Sequence, residues 1–406
     1  MAESSERRGA ELELEVTNVA HGGICVARHE GRVVFVSDAI PGETVIARVS
    51  ETSKKSFWRA ETIAVSRPSE FRQPHIWSAA SIDRDPAERA GGAEFGHIRI
   101  EHQRELKRQI LADALKRMAG LDTTATVEPL PGNADGTGWR TRVRLQVAEN
   151  GRPGPFAARS HRVIEVTDLP LATPAVAEAA PLGELFPGEQ NIDVVEPSTG
   201  GARLIVGRQK PTVVRELVGQ REFRVDDAGF WQVHRAAAET LSTAVQDAVD
   251  DALFEPRAQN LDLYGGVGLL AAAIGDRFGS TTRITSVESD ARATEHAGEN
   301  LSDWLGARAV TARVERWVAS LAASDVRLGS ATVVLDPPRS GAGREVVEPL
   351  AKLAPAQIVY VACDPVALAR DVALFAERGY QVDHLRAFDL FPNTHHVEAV
   401  ARLVKA

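Results

Sequence analysis

The chain carries two cysteines in 406 residues, and one of them stands where a thiol could act on a substrate. Cys363 follows the apolar run Ile358-Val359-Tyr360-Val361-Ala362 and precedes Asp364-Pro365. The run reads as a buried strand, and the Asp-Pro pair reads as a helix start. A thiol at that junction is placed as a nucleophile, because helix N-terminal amides stabilise a thiolate and lower its pKa. A free cysteine is otherwise more often a small buried hydrophobe. Cys25 lacks such a setting and is read as core packing.

Other groups could serve that thiol. Asp336-Pro337-Pro338-Arg339 follows Val333-Val334-Leu335, so two prolines fix a rigid loop at a strand end. Glu398 stands alone in the alternating apolar run Val397-Glu398-Ala399-Val400. A carboxylate there either faces solvent or is a placed base. The preceding His395 and His396 with one glutamate make a poor metal-ligand set, so a structural or substrate-orienting role is expected. Asp262-Leu263-Tyr264-Gly265-Gly266-Val267-Gly268 ends another strand candidate. Its glycines permit a tight turn with backbone close to a ligand, but the phosphate-loop lysine and the dinucleotide glycine spacing are both missing. Roughly 20 residues on, Glu288 ends the next strand candidate, where a carboxylate can accept hydrogen bonds from both ribose hydroxyls of a nucleoside. Glycine turn and carboxylate together fit S-adenosylmethionine better than NAD.

These positions need a sheet that presents its carboxyl ends side by side. From about Arg221, helix and strand alternate. Residues 235–249 are amphipathic through Ala237, Leu241, Ala244, Val245 and Ala248, and strand candidates follow at 260–264, 284–287, 331–335 and 357–361. That alternation predicts a doubly wound parallel α/β sheet over residues 221–406. Residues 1–70 differ: from Glu11 on, short strand-like runs are punctuated by His21-Gly22-Gly23 and Pro41-Gly42-Glu43, which predicts a small closed all-β barrel. Residues 71–220 read as a small α+β middle domain. It holds a helix over 104–118 with Leu106, Ile110, Leu111, Ala114, Leu115 and Met118 on one face. It also holds a strand from Trp139 that sets Arg140, Arg142 and Arg144 on one side. That row could line an RNA groove, or form the charged outer face of an edge strand.

Bulk properties narrow the class. A hydrophobic content of 44% and a charged content of 25% suit a folded soluble protein. No run approaches the roughly 20 apolar residues of a membrane span. The N-terminal Met1-Ala2-Glu3-Ser4-Ser5-Glu6-Arg7-Arg8 has no apolar signal core, so a cytoplasmic location is expected. A net charge of −9 does not advertise nucleic-acid binding, but local patches decide that. Lys54-Lys55-Ser56-Phe57-Trp58-Arg59 mixes cations with aromatics, suited to phosphate contact and base stacking, or to a solvated hairpin with its rings in the core.

Taken together, these motifs resemble the RNA uracil-C5 methyltransferase family, which forms 5-methyluridine in tRNA and rRNA. The resemblance spans almost the whole chain. Residues 11–70 resemble the TRAM module, an OB-like RNA-binding barrel, and the C-terminal part resembles a Rossmann-like methyltransferase domain. Phe230-Trp231-Gln232 is similar to the family's Phe-x-Gln motif. The resemblance implies S-adenosylmethionine as donor, held by Gln232, Tyr264, Gly265, Gly268, Glu288 and Asp336. It implies Cys363 as nucleophile on C6 of uracil and Glu398 as the base that removes the C5 proton. It implies RNA as partner, with 23S rRNA favoured over tRNA and with Lys54, Arg140, Arg142 and Arg339 as contacts; the alternative from another class is a non-catalytic RNA-binding protein of the same fold. A monomer is the default expectation. Arg339 argues against exocyclic amine methylation, which favours an aromatic there, and the lack of cysteine in that loop argues against cytosine-C5 methylation. Three departures from the family pattern stand out. Ala90-Gly91-Gly92-Ala93 and Leu169-Pro170-Leu171 replace cysteines that hold an iron–sulfur cluster in some members, so no cluster is expected and packing should brace the region. Leu269 replaces a frequent donor-contacting asparagine, and Ala362 and Asp364 replace the commoner neighbours of the nucleophile.

Overall fold

The computed structural model describes residues 8–54, 56–324 and 326–406. Lys55 and the polar stretch at residues 1–7 lie outside the described residues.

Strands Glu11–Val19, Cys25–His29, Arg32–Ser37, Thr44–Glu51 and Phe57–Arg67 close into a barrel, the last two exchanged in spatial order. Alternation sends Val34 and Val36, then Val45, Ala47 and Val49, to the interior. Cys25 is buried there, its thiol donating to the Ala39 carbonyl at 3.1 Å. Trp58 is also buried in that core, whereas Phe57 stays outside against Phe35, with ring centroids 5.2 Å apart.

The middle unit is built on a sheet ordered Arg203–Val206, Asn191–Val195, Arg142–Val147 and Pro153–Gly154. Ala90, Ala93 and Leu169 lie in one apolar cluster with Trp77, Trp139 and Leu171. None of those three side chains can ligate iron, and their burial ties the 90–93 turn to the 169–171 segment.

The third unit is an eight-stranded sheet ordered Gly306–Thr311, Arg283–Glu288, Asn260–Leu263, Thr332–Leu335, Gln357–Ala362, Glu398–Lys405, Tyr380–Asp389 and Val127–Pro129. The first five are parallel; Glu398–Lys405 runs antiparallel to both its neighbours. Packing crosses the division at residue 220. Val127–Pro129 forms the sheet's far edge beside Tyr380–Asp389. The helix Ile100–Ala119 packs on the helix Pro365–Ala376 and sends Leu111 and Leu115 into the sheet's core. Its buried face differs from the predicted one at its ends: Met118 is 42% exposed, while Lys107 is fully buried. Among the described residues, no helix is long and apolar enough to cross a membrane.

Candidate active site

Strand register alone brings three carboxyl groups and a thiol to one place. In the pairing of Gln357–Ala362 with Glu398–Lys405, Val361 faces Val400 and Ala362 faces Ala399. One step further, Cys363 falls opposite Glu398, and directly opposed residues share a face of the sheet. Val359 pairs with Val334, and Val334 with Asp262, so Asp262 shares that face. Asp336, two residues beyond Val334, continues it. Val334, Val359, Val361 and Val400 make this face apolar behind the site. These groups therefore gather at its carboxyl edge, where all four line one cleft of about 1170 Å³.

Burial sets their charge. It pushes Asp262 up to about 7, with the Ser286 hydroxyl opposing the shift. Burial, then the Asp262 charge, pushes Asp336 up to about 7. Burial and Asp336 hold Glu398, only 4% exposed, well above the usual carboxyl range against the pull of Arg339. Burial, Glu398 and Asp336 push the half-buried Cys363 thiol up to about 12. This corrects the expectation of a thiolate stabilised by the helix. The amides of Val366 and Ala367 donate instead to the Asp364 carboxylate, at 3.0 and 2.8 Å. Arg339 is a cation acting on both Cys363 and Glu398, and it lies 3.4 Å from His396 Nε2. Burial, His395 and Arg339 press His396 down to about 3, so its ring is neutral.

The glycine turn opens the adjoining part of the cleft. Tyr264, Gly266 and Gly268 have φ of +65°, +53° and +89°, a left-handed series that suits the two glycines and folds the chain back before the helix Leu269–Phe278. Gly265 is required by contact: a Cβ there would lie 2.0 Å from Ser286 Oγ and 2.6 Å from Asp262 Oδ2. Gly266 N donates to Glu288 Oε2 at 3.1 Å, and Asp290 N to Glu288 Oε1 at 2.8 Å, which fixes that carboxylate at the cleft wall. Asp262 Oδ1 is buried with no hydrogen-bond partner among the described residues. The sequence reading had not singled out Asp262; the signal was an acid in the buried strand Asn260–Leu263.

The loop that leads to Glu398 is pinned from the helix Ile100–Ala119. Gln103 exchanges hydrogen bonds with Asn393, through its Nε2 at 2.9 Å and its Oε1 at 2.8 Å. Lys107 Nζ donates to Asp389 Oδ1 at 2.5 Å and to the Phe391 carbonyl at 3.0 Å. These polar residues, absent from the sequence reading, hold the loop where the glutamate strand begins.

Of the predicted site residues, Gln232, Tyr264, Gly265, Glu288, Asp336, Cys363 and Glu398 line the cleft, as do Arg140 and Arg339. Gly268 shapes the turn without lining it, and Lys54 is exposed on the barrel. Leu269 lines the cleft with hydrocarbon. Arg142 is corrected as a surface contact. It is 9% exposed, bonds Glu216 Oε1 at 2.9 Å and donates to the Gly229 carbonyl at 2.9 Å. The arginine row is not a stripe, because Arg144 is clamped by Asp193 at 2.7 and 2.8 Å.

A doubly wound sheet with a glycine turn, a fixed strand-end carboxylate and a barrel placed before it defines the class: an S-adenosylmethionine-dependent methyltransferase fold with an appended RNA-binding type of module. A family model described as tRNA (Uracil-5-)-methyltransferase matches residues 309–406, and the TRAM domain matches residues 6–57. An uncharacterized RNA methyltransferase of Streptomyces avermitilis is 38% identical over 440 residues, covering 98% of this chain and 99% of its own length. The 23S rRNA (uracil(1939)-C(5))-methyltransferase RlmD of Shewanella sp. strain ANA-3 is 28% identical over 463 residues, covering 98% of this chain and 96% of its own. The crystal structure of Pyrococcus abyssi tRNA (uracil-54, C5)-methyltransferase in complex with S-adenosyl-L-homocysteine is similar in fold, with a TM-score of 0.71 and 21% identity, covering 97% of this chain and 100% of that one. The chain belongs to the TRAM-containing RNA (uracil-C5-)-methyltransferase family.

Proposed function

We propose that this enzyme methylates C5 of a specific uridine in RNA through a transient bond between Cys363 and C6, with a 23S rRNA uridine as the favoured target and tRNA as the alternative. The observation that carries the reading is the register that sets Cys363 opposite Glu398 at the edge of the cleft. Gln232, Tyr264, Gly265, Glu288 and Asp336 would hold the methyl donor. The cleft suits it: Gly265 keeps backbone accessible, Glu288 is fixed as an acceptor, and Asp262 and Asp336 add to an acid-rich wall. S-adenosylmethionine supplies an electrophilic methyl on a positively charged sulfur, which such a wall favours.

C5 of uracil is a weak nucleophile by itself. The Cys363 thiol gives its proton to solvent; its sulfur then adds to C6 and moves the ring electrons onto an enolate, so that C5 can take the methyl group. Glu398, as carboxylate, then accepts the C5 proton; the C5–C6 double bond re-forms and the Cys363–C6 bond breaks. Asp336 keeps ring and donor in register. The uridine must leave its stack to reach the thiol, at a cost of a few kcal/mol. Arg140 and Arg339 in the cleft, and Lys54 on the barrel, are the phosphate contacts in this reading, and losing one would weaken RNA substrates alike and flatten the salt dependence. The target preference follows the 23S rRNA relative, which matches almost the whole chain. Mass spectrometry of 23S rRNA and tRNA from a deletion strain tests it. Loss of one 5-methyluridine from 23S rRNA is expected; loss from tRNA moves the target, and loss of 5-methylcytidine instead defeats the reading.

A further inference from the structure

The barrel reaches the catalytic loops directly. Its turn His21–Gly23 joins the strands Glu11–Val19 and Cys25–His29. His21 Nε2 lies 2.7 Å from Asp364 Oδ2, on the residue that follows the thiol. The other oxygen of that carboxylate accepts from Val366 and Ala367 N. One side chain thus fixes the helix behind Cys363 and the barrel in front of it. The pairing is mutual: Asp364 holds His21 above its usual range, and His21 with the two amides outweighs burial to hold Asp364 low.

Gly23 meets the other catalytic loop. With φ at +70°, its missing Cβ would lie 2.4 Å from His395 Cβ and 2.8 Å from Phe95 Cε1. His395 precedes Glu398 by three residues. The same turn therefore touches the loop of the thiol and the loop of the carboxylate. It is seated rigidly: Val19 and Ile40 of the barrel are buried with Phe95, Ile98, Leu106 and Ile110. Phe95 N in turn donates to the Asn393 carbonyl at 3.0 Å.

We infer that the turn His21–Gly23 is a positioning element for the uridine reaction, coupling the seat of the RNA-binding barrel to the relative placement of Cys363 and Glu398. The inference rests on the nucleophile assignment above. His21 is half exposed, so its bond adds little to global stability. Displacing a nucleophile by about 1 Å, in contrast, costs on the order of 100-fold in rate.

The test is the single-turnover rate of adduct formation by the full-length protein on RNA containing 5-fluorouridine, at saturating RNA and S-adenosylmethionine. RNA affinity and melting temperature are measured alongside. His21→Ala is expected to slow the adduct step about 10- to 100-fold with RNA affinity nearly unchanged. His21→Gln, whose amide can still donate to Asp364, should recover most of the rate. His21→Ala combined with Asp364→Asn should be no slower than His21→Ala alone, because both remove one link. Gly23→Ala should slow the same step by displacing His395. A His21→Ala rate equal to wild type, or a loss confined to RNA affinity, overturns the inference while leaving the nucleophile intact. A wild-type protein that methylates RNA but never traps overturns the nucleophile assignment and this inference with it.

Discussion

The thiol of Cys363 should be almost inert until the donor arrives. Its value of about 12 comes from burial and from Glu398 and Asp336 beside it. At pH 7.5 that leaves a thiolate fraction of ~3 × 10⁻⁵, against ~0.1 for an ordinary thiol of pKa ~8.5. Alkylation by iodoacetamide should therefore run on the order of a thousand-fold slower than for a free thiol. A bound sulfonium changes the balance. A unit positive charge about 6 Å away, at an effective dielectric near 20, is worth ~3 kcal/mol, or about two pKa units. S-adenosylmethionine should then raise the thiolate fraction ~100-fold. S-adenosylhomocysteine has nearly the same shape but a neutral sulfur, so it controls for shielding of the thiol.

The assay follows alkylation by intact-protein mass spectrometry from pH 6 to 11, with Cys363→Ala giving the background of Cys25. Cys25 is 2% exposed, and burial pushes its thiol up too, so that background should be low. The expected result is slow modification with no half-point below pH 10, accelerated by S-adenosylmethionine and not by S-adenosylhomocysteine. A half-point near or below 8.5 without donor would refute the argument that burial and neighbouring carboxyls outweigh the helix terminus.

Other outcomes follow from single contacts. Lys107→Met leaves Asp389 buried without its cation, and should cost ~3–5 kcal/mol in urea unfolding; a change under about 1 kcal/mol contradicts the brace. Gly265→Ala puts a methyl 2.0 Å from Ser286 Oγ, so calorimetry should show at least about tenfold weaker donor binding in a folded protein; unchanged affinity removes the turn from the donor site. Asp262 is raised from 3.8 to about 7, so the folded state keeps a proton that the unfolded state has lost. Stability is then full below about pH 4 and falls as pH rises through 7, by on the order of 4 kcal/mol. Asp336 is raised to about 7 as well, so Asp262→Asn should reduce the fall between pH 4 and 8 in urea titrations without abolishing it; an unchanged slope shows that Asp262 is not a source of it.

The sequence made the catalytic edge legible because each chemical residue directly follows an apolar run. The predicted strands 260–264, 331–335 and 357–361 differ from Asn260–Leu263, Thr332–Leu335 and Gln357–Ala362 by one residue at an end. Asp336 and Cys363 therefore read as strand-end residues from the sequence itself. What stayed hidden depends on partners remote in the chain. A lysine within a helix carries no mark of burial in the sequence, and Asp389, the partner that Lys107 meets, is 282 residues away. Arg142 alternates like a surface residue, and Glu216 with the Asp227 and Gly229 carbonyls draws it inside. The thiol's environment was misjudged because Asp364 occupies the helix amides and Glu398 arrives from a strand that register alone places opposite. The three-residue strand Val127–Pro129 is too short to show a pattern, so its place at the far edge of the sheet was not readable.

The central claim is a sulfur–carbon bond between Cys363 and the uracil ring, and RNA carrying 5-fluorouridine at the target position tests it most directly. Fluorine cannot leave C5 as a proton, so the reaction should stop after methyl transfer with the protein still attached. Denaturing electrophoresis and mass spectrometry should show a donor-dependent conjugate that carries the added methyl group and maps to Cys363, and Cys363→Ala should form none. A conjugate that persists in Cys363→Ala, or wild-type protein that methylates uridine in normal RNA yet forms no conjugate with the fluorinated one, would contradict the account.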